Sequence, residues 1–397
     1  MPPVDSFSGR HPRTATEVFW VFLRLGLTSF GGPVAHLGYF RAELVERRRW
    51  LAEDQFGQLL AICQFLPGPA SSQLGFCLGL LRAGWCGALA AFLGFTLPSA
   101  LLLVGLATAI HGLKLVACAV VADAVLGMWR KLCPDTATRT IAILAAASLL
   151  LVGAAWAQII VVGLAALAGT FLRSGRGNRD GGGSGDGVAI PVPYGTQTGG
   201  WLILAFAALL SGLPLLAMAG DGLPAVANAF YQAGALVFSG GHVVVPLLED
   251  SVVATGWVTP EQFLAGYGAA QAMPGPMFAL SAYLGAVMGV GSSPSGTAAV
   301  ALVFMFLPGF LLAAGLLPFW HAVSHSATLA HAIAGINAAV VGLLGAALYQ
   351  PVLVSGIKGP GDVAIALIAF GLLAIWRVSP LLVVVWCLLA RALPLGI

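Results

Sequence analysis

Residues 65–69 read Phe65-Leu66-Pro67-Gly68-Pro69, and residues 272–276 repeat the pattern as Ala272-Met273-Pro274-Gly275-Pro276. Working back from each toward the N-terminus, the same landmarks appear: Gln55-Phe56 and Gln262-Phe263, then Trp50 and Trp257, then Phe30-Gly31-Gly32-Pro33 and Phe238-Ser239-Gly240-Gly241. From the tryptophan onward the two copies run at a constant offset of 207 residues. Proline and glycine inside apolar sequence interrupt helices, because proline lacks the N–H of the ladder and its ring clashes with the preceding turn. A bilayer tolerates the freed backbone groups only inside protein or along a watery cavity. Kinking alone could explain one break, but matched interruptions in two halves of a chain mark a candidate transport site.

Composition places these breaks in a membrane. Of 397 residues, 59% are hydrophobic and 8% charged, and mean hydropathy is +0.95, whereas soluble domains carry roughly 25% charged residues. The chain therefore reads as an all-α polytopic membrane protein. Residues 1–16 form a polar N-terminus without the apolar core of a removable signal peptide. The six cysteines include no CxxC pair, so neither a disulfide framework nor a zinc site is expected. Without a GxxxxGK[ST] loop, nucleotide-driven pumping by this chain is not expected, and no cofactor is called for.

Residues 173–200, with Gly181-Gly182-Gly183-Ser184-Gly185, form a flexible linker between halves. The first half, 17–172, offers apolar segments at 17–40, 57–81, 85–110, 115–133, 140–153 and 157–172. The second half, 225–393, offers 225–248, 263–289, 297–320, 328–348, 362–375 and 379–393. Pro98-Ser99 matches Pro308-Gly309, Asp123 matches Asn337, and Trp156 matches Trp376. One apolar segment, 201–219, has no counterpart. Two even-numbered halves joined by one extra helix must lie upside down to one another. The expected architecture is thus two inverted repeats with broken or re-entrant helices, 6+1+6.

Fifteen of the 18 Lys and Arg residues lie at or before Arg179. This bias favours a cytoplasmic N-terminus in a plasma membrane. It also lacks the clustered basic surface that nucleic acid demands. The loop Arg41–Arg49 lies outside if 17–40 simply spans, and returns inside if 17–40 is a hairpin bent at Gly31-Gly32-Pro33; 57–81 admits the same choice at Pro67-Gly68-Pro69. Trp50 and Trp257 are expected at headgroup level.

The paired Gly-Gly and Pro-Gly-Pro motifs resemble those of the chromate ion transporter family in its long, two-domain form, over 17–172 and 225–393. The resemblance implies export of chromate from the cytoplasm, chromate resistance, and sulfate as competitor or counter-substrate. A homodimer is compatible with the chain but not demanded by it.

Chromate is a tetrahedral dianion, and a broken helix offers such a guest unpaired N–H groups and the positive end of its dipole. The expected substrate-binding residues are therefore Gly31, Gly32, Pro67, Gly68, Pro69, Ser71, Ser72, Gly240, Gly241, Pro274, Gly275 and Pro276. Arg24 joins them as a charge within an apolar segment, with an ion pair to Glu17 as its alternative. Asp123, Asn337 and His242 are candidates for coupling, against ordinary interhelical hydrogen bonding for the first two. His36 and His242 flank the Gly-Gly breaks, where either could donate to an anion, and His321 and His325 are four apart, a spacing that can bind metal on a helix but, with no third ligand nearby, reads as loop histidines. Only scattered single polar residues occur in the apolar segments, so an intramembrane enzyme is not expected.

Overall fold

The computed structural model describes residues 14–30, 32–105, 114–152, 155–174, 192–218, 220, 222–237, 248–249, 251–290, 293–320, 327–357, 359–376, 378, 382–384, 386–387 and 390. The described residues are helical and include no strand. Helix α1 (Ala15–Thr28) begins at Thr14, whose hydroxyl accepts from the Glu17 N–H. It ends at Ser29 ahead of the first Gly-Gly break. Helix α2 (Gly32–Phe40) runs directly into a π-helical stretch, Arg41–Arg47. The apolar segment 17–40 is therefore two short helices, and the expected arginine loop is helical. Helix α3 (Glu53–Phe65) stops at Leu66, and α4 (Ala70–Gly105) starts on the far side of Pro67-Gly68-Pro69.

The range of α4 conceals a reversal. Ala83 and Gly84 leave helical geometry, with φ +65° at Gly84. In a continuous helix Gly79 and Gly87 would stand about 12 Å apart. Instead, a β-carbon on either would collide with the other's backbone carbonyl. The arms 70–82 and 85–105 thus fold back as a hairpin at the boundary between the expected segments 57–81 and 85–110.

Helices α5 (Lys114–Leu132), α6 (Thr136–Val152) and α7 (Ala155–Ser174) complete the first half. Helix α8 (Thr196–Ala217) is the unmatched connector. It lies mostly exposed and touches the second half where Gly199 meets the Gly315 carbonyl and where the Tyr231 hydroxyl donates to the Phe206 carbonyl at 3.0 Å. The second half comprises α9 (Leu223–Leu236), α10 (Pro260–Ala272), a 3₁₀ turn (Met277–Ala279), α11 (Leu280–Val287), α12 (Pro294–Leu316), α13 (Ala327–Ala347) and α14 (Pro360–Ala374).

Among the described residues three helical regions are long and apolar enough to cross a bilayer: Ala70–Gly105, in which the 85–105 arm of the hairpin has the length, Thr196–Ala217 and Pro294–Phe319. Several other apolar helices have only 10–17 residues. Large apolar side chains stand uncovered on the outside, among them Trp20, Leu151, Phe171, Trp201 and Trp376. So much exposed apolar surface suits lipid rather than water. Together with the apolar spans, it makes this a multi-pass membrane protein.

The halves interlock at their cores. Ala313, Ala314 and Leu317 of the second half complete the first half's main cluster around Phe22, Phe40 and Phe95. Ala100, Leu103, Cys118 and Val121 of the first half join the cluster around Phe263, Tyr267 and Phe306. The exchange continues at the periphery. On α5, Ala119 and Val120 pack with Ile365, Ala369 and Val383, while α13 lies on α6 and α7. There Gly335 and Gly342 are so close to the Ala165 and Ala142 carbonyls that any side chain would collide with them. Small residues permit this approach where lipid supplies no hydrophobic drive between helices.

Candidate functional site

The two Pro-Gly-Pro turns meet the opposite halves in a reciprocal clasp. The Gly68 N–H donates to the Val237 carbonyl at 2.6 Å, and the Gly275 N–H donates to the Ser29 carbonyl at 3.0 Å. Ser29 and Val237 are the residues immediately before Phe30-Gly31-Gly32 and Phe238-Ser239-Gly240. Each half thus lends the amide of its Pro-Gly-Pro glycine to the carbonyl that precedes the other half's Gly-Gly break. Both glycines have positive φ, +125° at Gly68 and +95° at Gly275, which side chains with a β-carbon avoid. Their surroundings match too. A β-carbon on Gly68 would lie 3.0 Å from Gly309 Cα, and one on Gly275 would lie 2.9 Å from Ser99 Oγ. Ser99 and Gly309 are the matched positions of Pro98-Ser99 and Pro308-Gly309.

These bonds revise one expectation. The Gly68 and Gly275 amides are not bare; they hold the halves together. The orphan donors that remain belong to the first turn of α4, at Ala70, Ser71 and Ser72. The second half differs here, because its chain continues from Pro276 into a 3₁₀ turn. The Ala279 N–H donates to the Pro276 carbonyl, and the Leu280 N–H to Met277 and Phe278.

Polar groups gather on the first-half side. Gln73 donates from Nε2 to the Pro67 carbonyl (2.8 Å) and to the Gly309 carbonyl (3.0 Å), tying the first break to α12. Ser71 and Ser72 are buried, and the Ser71 hydroxyl lies 3.4 Å from His36 Nδ1. The His36 ring is 1% exposed. It stands edge-on to Phe95 at 5.3 Å and beside the Ser29 carbonyl. Gly240, Gly241, His242, His321 and His325 lie outside the described residues, as does Gly31; Gly32 opens α2.

Arg24 lines a cleft of about 240 Å³ with Leu25, Thr28, Tyr39, Ala42, Glu43 and Arg47. Its expected alternative, an ion pair with Glu17, is not made. Glu17 instead accepts from Arg82 (3.3 Å) and Arg48 (3.5 Å), while Glu43 binds Arg48 (2.6 Å) and Arg47. Burial alone would raise the Glu43 carboxyl, but hydrogen bonds and charge from Arg47 and Arg48 outweigh it and hold the group below the usual carboxylate range. Arg82 also lies over the Trp50 ring, 5.0 Å from its centroid. Trp50 is therefore inside the protein, 2% exposed, and not a headgroup anchor. The Arg82 cation and the surrounding core hold the ring in place of the interface. Asp123 and Asn337 sit on α5 and α13, the cross-packing helices, rather than on the segments that form the clasp.

The family model described as "Chromate transporter" matches residues 16–170 and again 224–392. The chain belongs to the chromate transporter family. It is 30% identical to the "Chromate transport protein" of Pseudomonas aeruginosa, over 96% of this chain and 92% of that one. It is 27% identical to the "Probable chromate transport protein" of Synechococcus elongatus, over 97% of both. A "Chromate transport protein" of Cupriavidus metallidurans is 26% identical over 90% of this chain and 86% of its own. No solved structure matches the chain significantly. As a member of this family the chain is a membrane transport protein rather than an enzyme.

Proposed function

We propose that this chain exports chromate from the cytoplasm across the plasma membrane as a secondary transporter, and so confers chromate resistance. The observation that carries the reading is the reciprocal clasp, in which matched breaks from the two halves hydrogen-bond to one another within the apolar body. Two inverted repeats, 17–172 and 225–393, then meet at mid-membrane, with the N-terminus in the cytoplasm. The dianion binds where the breaks cross. Ser71, Ser72 and the first-turn amides of α4 face it, the glycines of both Gly-Gly breaks let backbone approach, and Arg24 supplies charge at the outer cleft. Asp123, Asn337 and His242 are the positions at which coupling would be sought.

Energetics favour the outward direction. One charge moving across 100 mV is worth about 2.3 kcal/mol. A dianion leaving a negative interior therefore gains roughly twice that, while exchange for another dianion such as sulfate is electrically silent. Chromate flux from inside-out vesicles tests the proposal, with imposed potential and trans-sulfate as the variables. Acceleration by either supports export, and indifference to both refutes it. Sulfate and molybdate have nearly the same shape and charge, so the same assay with each as competitor decides which oxyanion is preferred.

A further inference from the structure

Helix α1 has two unlike faces. Val18, Val21, Phe22 and Leu25 are buried in the first-half core. Trp20, Arg24 and Leu27 follow one another at steps of four and three residues, which puts them on a common face. All three are exposed, Trp20 by 63% and Leu27 by 50%. An arginine thus stands in the middle of an apolar stripe that suits lipid. A charge in that position is costly unless something meets it. Among the described residues Arg24 has no ion pair. The carboxylate that shares its cleft, Glu43, is already held by Arg47 and Arg48. Two guanidiniums and one carboxylate line the cleft, so its net charge is positive. Its depth is that of a headgroup. Glu17, seven residues before Arg24 and about 10 Å along the axis, belongs to the polar layer with Arg48 and Arg82. Glu43 and Arg47 join the cleft to that layer, whereas Ser29 at the clasp lies five residues beyond Arg24.

We propose that the Arg24 cleft binds the phosphate of an anionic phospholipid. Arg24 is the charge partner, the Tyr39 phenol on the cleft wall is a further donor, and an acyl chain lies along Trp20 and Leu27. The chemistry recognised is a singly charged phosphodiester joined to a hydrocarbon chain. Basic pockets beside membrane helices take such headgroups, and a guanidinium matches a phosphate with paired N–H donors. A free phosphate would use the cation but not the apolar stripe beside it. Counting back from the paired Phe30 and Phe238, the position that matches Arg24 in the second half is Gln232, which donates to Asn228. One such site per chain is therefore expected. The site rests on the membrane character of the chain and not on which ion it carries. The same guanidinium stands in the transport reading, so a bound phosphodiester and chromate compete for it.

The test is thermal melting of the purified full chain in neutral detergent with added phosphatidylglycerol, phosphatidylcholine or inorganic phosphate. Native mass spectrometry counts the lipid retained. A ligand that binds only the folded state raises the midpoint, so phosphatidylglycerol should raise it several degrees more than phosphatidylcholine does. Inorganic phosphate should not raise it, and one phosphatidylglycerol per chain should be retained. Arg24→Gln should melt like wild type without lipid and lose the extra rise. Arg130→Gln, which removes an exposed arginine that does not line the cleft, should keep it. If Arg24→Gln does not yield a monodisperse protein, Tyr39→Phe carries the test by losing part of the extra rise. Equal shifts with the two lipids overturn the proposal, as does an undiminished difference in Arg24→Gln, or in Tyr39→Phe where only that variant folds. A rise with inorganic phosphate that matches phosphatidylglycerol overturns lipid as the ligand. Failure of the wild type to move chromate bears on the transport reading alone.

Discussion

Replacing Gly68 or Gly275 by alanine probes the clasp with a single methyl group. At φ +125° and +95°, a residue with a β-carbon is strained by about 1–3 kcal/mol. The methyl also has nowhere to go. At Gly68 it would stand 2.7 Å from Gln73 Nε2, which is pinned to two carbonyls, and 3.0 Å from Gly309 Cα. At Gly275 it would meet Ser99 Oγ at 2.9 Å and the Gly26 carbonyl oxygen at 3.2 Å. Overpacking of this kind adds about 1–3 kcal/mol, for a total of roughly 2–6 kcal/mol at each position. Gly256 is the internal control. Its φ is +76°, yet nothing lies within 4 Å of a β-carbon there, so Gly256→Ala carries the backbone strain alone. Thermal melting in detergent, read together with chromate flux in vesicles, separates the cases. Gly68→Ala and Gly275→Ala should melt well below Gly256→Ala and lose flux, because each pushes one half off the other. If Gly68→Ala melts and transports like Gly256→Ala, the clasp is neither tight nor needed.

Other perturbations follow from the charges. Glu17→Gln removes the carboxylate that pairs with Arg82, whose side chain is 1% exposed, and loss of a buried partner typically costs about 3–5 kcal/mol; the variant should melt markedly lower, and expression with size-exclusion profiling reports it. Arg24→Gln should leave melting unchanged, because Arg24 makes no ion pair among the described residues; the expected effect is a raised KM for chromate in vesicle flux. Because the Glu43 carboxyl is held low in the folded protein, its contribution to stability is fully present above the ordinary carboxylate pKa of about 4.3 and fades only as pH falls through the lower folded value. Melting in detergent should therefore change little between pH 7 and pH 5 in wild type, and Glu43→Gln should remove the wild-type advantage throughout that range.

Much of the fold was legible because glycine and proline leave few conformational choices. The Pro-Gly-Pro turns stand where their residues require them, and both glycines have the positive φ that only glycine adopts freely. The reversal at Ala83-Gly84 fell in the gap between two apolar segments. The partners of the clasp were not legible, because Val237 and Ser29 take part through backbone carbonyls, which carry no sequence signature. Trp50 was misassigned for a related reason. A tryptophan near a membrane edge is by default an interface residue, and only tertiary structure shows Arg82 lying over its ring. His36 had a weak signal, a polar residue in an apolar stretch just past a Gly-Gly break, and its link to Ser71 spans 35 residues of chain. The Glu17 pairing with Arg82 was hidden in the same way by a sequence separation of 65.

The central claim is that two upside-down halves are locked together through their breaks, and sidedness tests it most directly. Arg49 and Thr255 are exposed and stand just ahead of Trp50 and Trp257. In a background without the exposed Cys86, Arg49→Cys and Thr255→Cys can each be labelled in intact cells with a membrane-impermeant maleimide. The account predicts that one cysteine reacts from outside and the other only after the membrane is opened. Reaction of both from the same face would contradict it.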